Sequence, residues 1–485
     1  HGHEDHTGCL PYLLKDLDNE VGIYGTDITL GLVEVKLKEF NIKNAKLVEI
    51  KAGQSIKLGC FDIEFFAVNH SIPGSVGAFF KTPAGNVLHT GDFKLDQTPI
   101  DGIRTDFAAL ARFGEMGVDL MLSDSTNADK SQFTPSEALV GITLRDIISK
   151  AKGRVIIASF ASHIHRMQQI CDAAIACGRK VVVTGRSMIQ NTDIARKLGY
   201  LNIADNDLID AYELNGYPAN KVVVMCTGSQ GEPLSALARI ASGEHKTITI
   251  EEGDTAIVSA TPVPGNEKSV TRVINQLSKM GIDVYDKNRA LVHVSGHASA
   301  EELKIVLSLV NPVAFMPVHG EALHLRAHAL LAQSVGIAKE NIFICENGES
   351  LLLENGKAAL GERVESGVVY VDGLSVGDTS QEVLDQRFDL GSMGCAVVSF
   401  AIDTRTNTLA GDVNIEMRGI AGEDDKELIY GVSQSVANAI SRGLDKGMTY
   451  TEIKKTSRDA LLSLLWETTK QRPYVIVSLL PVAFR

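Results

Sequence analysis

His1-Gly2-His3-Glu4-Asp5-His6-Thr7-Gly8 opens the chain and packs three imidazoles and a ligand-type carboxylate, Asp5, into six residues. Imidazole mixed with carboxylate is the donor set that borderline divalent ions such as Zn2+ take. In an extended loop His1 and His3 fall on one side, while Asp5 and His6 can turn to a second ion. An affinity-tag remnant would read as an unbroken His run. The interleaving with Gly, Asp and Thr therefore favours a metal loop over a tag or a merely polar loop.

Three further positions turn the motif into a constellation. His70 follows the apolar run Phe65-Phe66-Ala67-Val68 and precedes Ser71-Ile72-Pro73-Gly74. Asp92 ends His89-Thr90-Gly91-Asp92, and His319 follows Phe315-Met316-Pro317-Val318. Each sits where a strand ends, which is where α/β sheets place their sites. One such residue alone is more often structural; their joint occurrence points to a site.

The rest of the chain bounds the kind of protein. Its 485 residues allow several domains, and 44% hydrophobic with 22% charged residues is ordinary globular composition. The longest apolar runs are strand-sized, so no membrane span is expected. A formal charge of −13 argues against a protein that coats nucleic acid through bulk charge. It leaves room for an enzyme that grips phosphates locally around bound metal. Seven scattered cysteines without a C-x-x-C pair predict reduced, mostly buried thiols and a cytoplasmic location.

Between about residues 134 and 320, β-rich runs alternate with amphipathic stretches. Arg154–Phe160, Lys180–Thr184, Lys221–Thr227 and Asp254–Ala260 predict buried strands. Val270, Val273, Ile274, Leu277 and Met280 share one helical face. This alternation implies a mostly parallel sheet flanked by helices. Thr134-Pro135-Ser136-Glu137 predicts a boxed helix start. Ile63–Val68, Ser75–Thr82, Asn86–His89, Leu291–Val294 and Val313–Val318 predict further strands. Gly361–Gly391 predicts a connector. A hairpin turning at Arg405–Asn407, two helices and a strand over Tyr474–Leu480 predict a small α+β tail.

The series HGHEDHTG (1–8), NHSIPG (69–74), HTGDFK (89–94), SDSTNA (123–128), HVSGHAS (293–299) and MPVHGE (316–321) resembles the metallo-β-lactamase superfamily with a β-CASP insertion. Within it the chain resembles the ribonuclease J family over essentially its whole length. The implied fold is α/β: a metallo-β-lactamase αββα domain over 1–135, continued with a linker over 291–385, a β-CASP domain over 136–290, and an α+β domain over 386–485. The implied activity is metal-dependent RNA hydrolysis, 5′-to-3′ exonucleolytic and endonucleolytic, in RNA processing and decay. The resemblance also suggests preference for 5′-monophosphate ends of single-stranded RNA, and a homodimer or tetramer.

By resemblance, His1, His3 and His70 hold one zinc ion, Asp5, His6 and His319 a second, and Asp92 bridges them; Mn2+ or Mg2+ are the alternatives. Such a pair generates hydroxide near neutral pH. Asp124 and His297 resemble the family's proton-handling pair, a carboxylate fixing an imidazole's tautomer; as a bland alternative, Asp124 is a turn cap. Val294–Ala298 reads as opening a helix, whose free amides beside a small Gly suit a phosphate. The resemblance implies that His293, Val294, Ser295, Gly296 and His297, with Ser162, His163 and Ile164, hold the RNA backbone and its 5′ phosphate. The family commonly has Asn where His163 stands. A backbone contact would be indifferent to that change, whereas a side-chain contact would alter 5′-end preference. Asp372 matches a position that binds structural Ca2+ in some members, or is a turn Asp beside Gly373.

Two other readings compete. One is a hydrolase of a small ester or thioester on the same fold; the 227-residue separation of Asp92 and His319, filled by a domain-sized insertion, weighs against it. Members acting on DNA typically carry Val at the last metal position, so His319 favours RNA. The other is an inactive RNA-binding scaffold. The resemblance places about seventy residues of flanking strands before the position of His1. A polypeptide starting at His1 is accordingly expected to hold metal weakly and to be poorly stable.

Overall fold

The computed structural model describes residues 1–17, 21–373, 375–377, 379–420 and 424–483. They form two compact units, His1–Glu365 and Ser366–Arg485.

The first unit contains two six-stranded sheets. One runs in the order Ala314–Val318, Leu120–Asp124, Gly85–His89, Val76–Thr82, Phe61–Ala67, Ser55–Leu58. Its first three strands are parallel and the rest antiparallel. The turns between antiparallel strands are short, while the parallel strands are joined by long crossovers, as chain geometry requires. Phe66, Phe79, Leu88, Met121 and Phe315 from this sheet pack on Leu110, Phe113, Leu303 and Leu307 of the helices Phe107–Met116 and Ala300–Val310.

The inserted sheet is wholly parallel: Leu208–Ile209, Lys180–Thr184, Val222–Cys226, Val155–Ala158, Thr255–Val258, Asp283–Tyr285. Its side chains alternate between two cores. Val155, Ile157, Val223 and Met225 face one set of helices, and Ile156, Val224, Ala256 and Val258 the other. That double burial explains why the four central strands read as unbroken apolar runs. The helix Glu267–Lys279 buries Val270, Val273 and Leu277, with Ile274 packed alongside, as its periodicity predicts.

Tertiary contacts override two local signals. The boxed helix start at Thr134–Glu137 does not form; the helix is Ala138–Lys150. Thr134 N donates instead to Glu302 Oε2 (2.7 Å), and Glu137 Oε1 accepts from Arg166 Nη2 (2.5 Å). Leu291–Val294 is extended but joins no sheet. Val292 O takes side-chain donors, Arg166 Nη1 (2.6 Å) and Ser259 Oγ (2.6 Å), in place of a ladder.

In the second unit, Cys395–Asp403 pairs antiparallel with Thr408–Leu409 and Asn414–Arg418, and in parallel with Tyr474–Val482. Helices Lys426–Asp445 and Tyr450–Thr469 supply Val432, Val436, Ile440, Leu461 and Leu465 to its core. The expected connector is more structured than its glycines suggest, since Gln381–Met393 is helical behind a Ser380 cap. The thiols also depart from expectation. All seven are unpaired, but only Cys171 and Cys226 are buried, and Cys9 and Cys60 are exposed. Among the described residues no helix is long and apolar enough to cross a membrane.

Candidate metal centre and its proton-handling pair

The first sheet delivers the site from its strand ends. Asp124 is the last residue of Leu120–Asp124, and His319 follows Ala314–Val318. His319 adopts φ +55, a left-handed backbone that folds the ring back over the sheet edge. His70 and Asp92 lie on the loops after Phe61–Ala67 and Gly85–His89. The opening loop brings His1 and His3 alongside, and the short helix Glu4–Thr7 carries Asp5 and His6.

Four overlapping groups result: His1 with His3 and His70, Asp5 with His6, Asp92 and His319, His70 with Asp92 and His297, and Asp124 with His297 and His319; within each group one ligand atom per residue lies within 4.8 Å of the others. Asp92 Oδ2 stands between the first two, 3.0 Å from His6 Nε2, 3.4 Å from His319 Nε2, 3.5 Å from His1 Nε2 and 3.9 Å from His70 Nε2. His70 Nδ1 meets Gly296 O at 2.8 Å, so its proton is there and its Nε2 lone pair faces inward. A Cβ on Gly296 would fall 2.8 Å from His70 Nδ1, so glycine is needed for that approach. His1 Nε2 is buried with no hydrogen-bond partner. His3 Nδ1 and His70 Nε2 face each other at 3.1 Å. With Zn–N of about 2.1 Å, tetrahedral ligand nitrogens stand about 3.4 Å apart. The inward lone pairs, the orphaned nitrogen and the shared carboxylate oxygen fit a cation pair.

Electrostatics match. Burial holds His3 down to about 4 and His70 well below its ordinary value, so both are neutral donors near pH 7. The His319 hydrogen bond holds Asp5 at about 2, keeping it ionised. His319 is pushed up to about 10 by Asp124 and then Asp5, the negative charge that would equally draw a cation to this place.

Behind the ligands, His297 Nδ1 lies 2.7 Å from Asp124 Oδ2, and His297 stacks on His319 with ring centroids 5.4 Å apart. Asp124 is 2% exposed. Burial alone would raise its pKa, but His297, His319 and the Thr126 amide overcome that and hold it far below the carboxylate range. Thr126 donates N–H (3.0 Å) and O–H (2.8 Å) to Asp124 Oδ1. Asn127 Nδ2 donates to Ser295 Oγ (2.8 Å) and His297 O (3.0 Å). Sequence reasoning assigned neither Thr126 nor Asn127 a role, although both stand in the quoted SDSTNA stretch.

The phosphate expectation changes in detail. The helix begins only at Ala300 behind a Ser299–Glu302 capping box, so Val294–Ala298 precede it. The amides at its entrance are already used: His297 N on Ser295 Oγ (3.2 Å), Ala298 N on Phe93 O (2.6 Å), Ser299 N on Glu302 Oε2 (2.9 Å) and Ala300 N on Lys130 O (2.9 Å). His293, Val294 and Ser295 line a cleft of about 550 Å3 that Lys130, Thr134 and Thr261 also border. His163 is buried, and its ring faces His293 with centroids 6.4 Å apart. Its Nδ1 caps the helix Ile164–Ala176 by accepting from Arg166 N (3.3 Å), while Nε2 is buried, makes no hydrogen bond and lies 3.5 Å from Glu137 Oε1. The His163 and Ile164 amides are spent on Phe160 O and Ser162 O. Asp372 belongs to the second unit, where Arg387 Nη2 lies 2.5 Å from its Oδ2. No candidate metal group among the described residues includes it.

A clustered His/Asp donor set at the strand ends of a mixed sheet, with a parallel α/β insertion between its last ligands, defines a β-CASP metallo-hydrolase of the metallo-β-lactamase superfamily. Sequence profiles agree: Metallo-beta-lactamase superfamily over residues 1–126, Ribonuclease J beta-CASP domain over 152–277, Zn-dependent metallo-hydrolase RNA specificity domain over 281–345 and Ribonuclease J C-terminal domain over 382–482. Ribonuclease J of Mycolicibacterium smegmatis is 43% identical over 487 residues, covering 99% of this chain and 86% of the relative. Ribonuclease J of Thermus thermophilus is 39% identical (98% and 83% covered), and Ribonuclease J2 of Bacillus subtilis 37% (99% and 87%). The chain belongs to the ribonuclease J family. It is accordingly a metal-dependent ribonuclease with exonuclease and endonuclease function in RNA processing, which sets aside the small-ester hydrolase and the inactive scaffold.

Proposed function

We propose that the chain degrades single-stranded RNA from 5′-monophosphate ends with two zinc ions, His1, His3 and His70 holding one, Asp5, His6 and His319 the other, and Asp92 both. When bound, the ions supply an activated water and positive charge against the phosphoryl oxygens. The observation that carries the proposal is the 2.7 Å pair of His297 Nδ1 and Asp124 Oδ2 beside the ligand cluster. Asp124 keeps the proton on Nδ1 and stabilises the imidazolium, so Nε2 can pass a proton to the leaving 3′ oxygen. Thr126 holds the carboxylate and Asn127 the His297 backbone, which limits the geometries the pair can adopt.

The terminal phosphate would lie in the cleft lined by His293, Val294 and Ser295, with Gly296 next along the chain and Lys130 supplying charge. Because the amides of His163 and Ile164 are spent, Ser162 and the His163 ring are what that segment can still offer. With its proton on Nε2 the His163 ring is a donor, as an Asn amide would be, and Glu137 Oε1 is the acceptor already 3.5 Å from that nitrogen. Unpaired thiols suit a reducing cytoplasm, and the assembly proposed is a homodimer or tetramer, checked by light scattering. A structural Ca2+ at Asp372 would have to displace Arg387; calcium titration of the Asp372→Asn variant tests it.

The test is hydrolysis of labelled RNA with 5′-monophosphate, triphosphate or hydroxyl ends. Mononucleotide release from the monophosphate substrate, lost in Asp92→Ala and His297→Ala, is expected. Equal rates on all three ends would refute the 5′-end preference.

A further inference from the structure

Two strands along the inserted sheet from Val155–Ala158, which precedes His163, a second cleft opens beside the carboxyl end of Lys180–Thr184, with a volume of about 500 Å3, the size of a small-ligand site. Arg239 reaches it from the helix Ala236–Ala241. Its Nε is buried with no hydrogen-bond partner, and among the described residues no carboxylate pairs with the guanidinium. The side chain is half-buried, and a cation without a counter-charge is free to take an anion that enters the cleft.

The neighbouring groups are set as donors. Thr184 is 7% exposed. His245 Nδ1 accepts from the amides of Thr247 (3.4 Å) and Ile248 (3.2 Å), so its proton sits on Nε2, 3.3 Å from Thr184 Oγ1. Burial and then Arg239 hold His245 below its ordinary pKa, in keeping with that neutral tautomer. Thr184 Oγ1 thus accepts from His245 and keeps its own O–H for a ligand. Lys246 adds a second charge. At the rim stand the exposed carboxylates of Asp193 and Asp210, and Tyr212, 81% exposed, presents a free aromatic face.

An unpaired cation with one buried, unpartnered nitrogen and a buried hydroxyl within, hydrogen-bond acceptors and an aromatic plate at the mouth, match a ligand with a phosphate at one end, hydroxyls in the middle and a flat ring at the other. We propose that this cleft is a second, non-catalytic site for a nucleoside 5′-monophosphate, with the phosphate on Arg239, Lys246 and Thr184, the ribose hydroxyls on Asp193 and Asp210, and the base on Tyr212. Such a ligand is the product class an exonuclease releases, so the cleft lets the enzyme sense product. Only the biological source of the ligand rests on the exonuclease reading; the site itself does not.

Calorimetric titration of the intact protein with AMP, inorganic phosphate and adenosine tests it. AMP is expected to bind wild type, and Arg239→Met to weaken it at least about tenfold, as loss of a charge-assisted contact does. Tyr212→Ala should weaken AMP but leave phosphate unchanged, and the part of the AMP isotherm that Arg239→Met removes is the part assigned to this cleft. Circular dichroism checks folding. If Arg239→Met does not fold, Lys246→Gln, at an exposed position, must weaken AMP severalfold. The proposal is overturned by no AMP binding at millimolar concentration, by identical titrations of wild type and Arg239→Met, or by adenosine binding as tightly as AMP. Phosphate binding as tightly as AMP would remove the nucleoside part and leave an adventitious ion only.

Discussion

Replacing Asp124 by Asn tests the proton-handling pair at the least structural cost. The side chain is isosteric, and an Asn oxygen in the Oδ1 position can still accept from Thr126 N and Oγ1. The amide nitrogen then stands where Oδ2 meets His297 Nδ1 at 2.7 Å. Two donors cannot share that contact, so His297 must give up the Nδ1 proton and carry it on Nε2. The imidazolium also loses its anionic partner. A hydrogen bond to a charged group contributes about 1.5–3 kcal/mol, which is roughly 10- to 150-fold in rate, and the wrong tautomer adds to it. Single-turnover cleavage of 5′-monophosphorylated RNA with enzyme in excess is the assay, with zinc content measured on the same samples. The Asp124→Asn/His297→Ala double variant should be little slower than His297→Ala, because the two act as one unit. An Asp124→Asn rate within about threefold of wild type at equal zinc content, less than one such bond supplies, would refute the reasoning. A slow enzyme that has simply lost its metal would do so as well.

Three further outcomes are expected. Arg166 is fully buried and its guanidinium spans Glu137, Ser259 and Val292 O, so Arg166→Met should cost about 3–5 kcal/mol, and Arg166→Met/Glu137→Gln clearly less, because the uncompensated carboxylate is gone; urea unfolding of the His1–Glu365 transition reads both. Burial holds His163 well below 6.5 and His328 at about 3, so below pH 6.5 the unfolded chain binds protons that the folded chain refuses. Stability present above pH 6.5 should therefore fall as pH drops towards 3, and His328→Gln should flatten that slope in thermal melts; an unchanged slope would contradict the assignment. Stripping metal with a chelator should abolish RNA cleavage and lower the melting temperature of the same transition, both restored by zinc; a melt indifferent to chelator would count against the ligand cluster.

Ligand type and strand identity were legible in the sequence because both are local. A metal site needs particular donor atoms, and the sequence offers His1, His3, Asp5 and His6 in one opening motif and His70, Asp92 and His319 just past strands, residues that the fold gathers into one cluster. A strand buried on both faces needs an unbroken apolar run, as Val222–Cys226 shows. Signals that compete with distant partners misled. Thr134–Glu137 has a helix-start pattern, yet Glu302 and Arg166 claim its polar groups. Val294–Ala298 reads as a helix entrance, yet Phe93 O and Lys130 O take the amides at that entrance.

The opening motif itself determined that this chain binds metal and, with its spaced companions, to which superfamily it belongs. Only the tertiary structure decided which nitrogen of each imidazole faces the ions, because that follows from the acceptor behind the ring. For His70 the acceptor is Gly296 O and for His297 it is Asp124, which lie 226 and 173 residues away along the chain. A proton's place depends on a partner brought by folding, and no local pattern carries it.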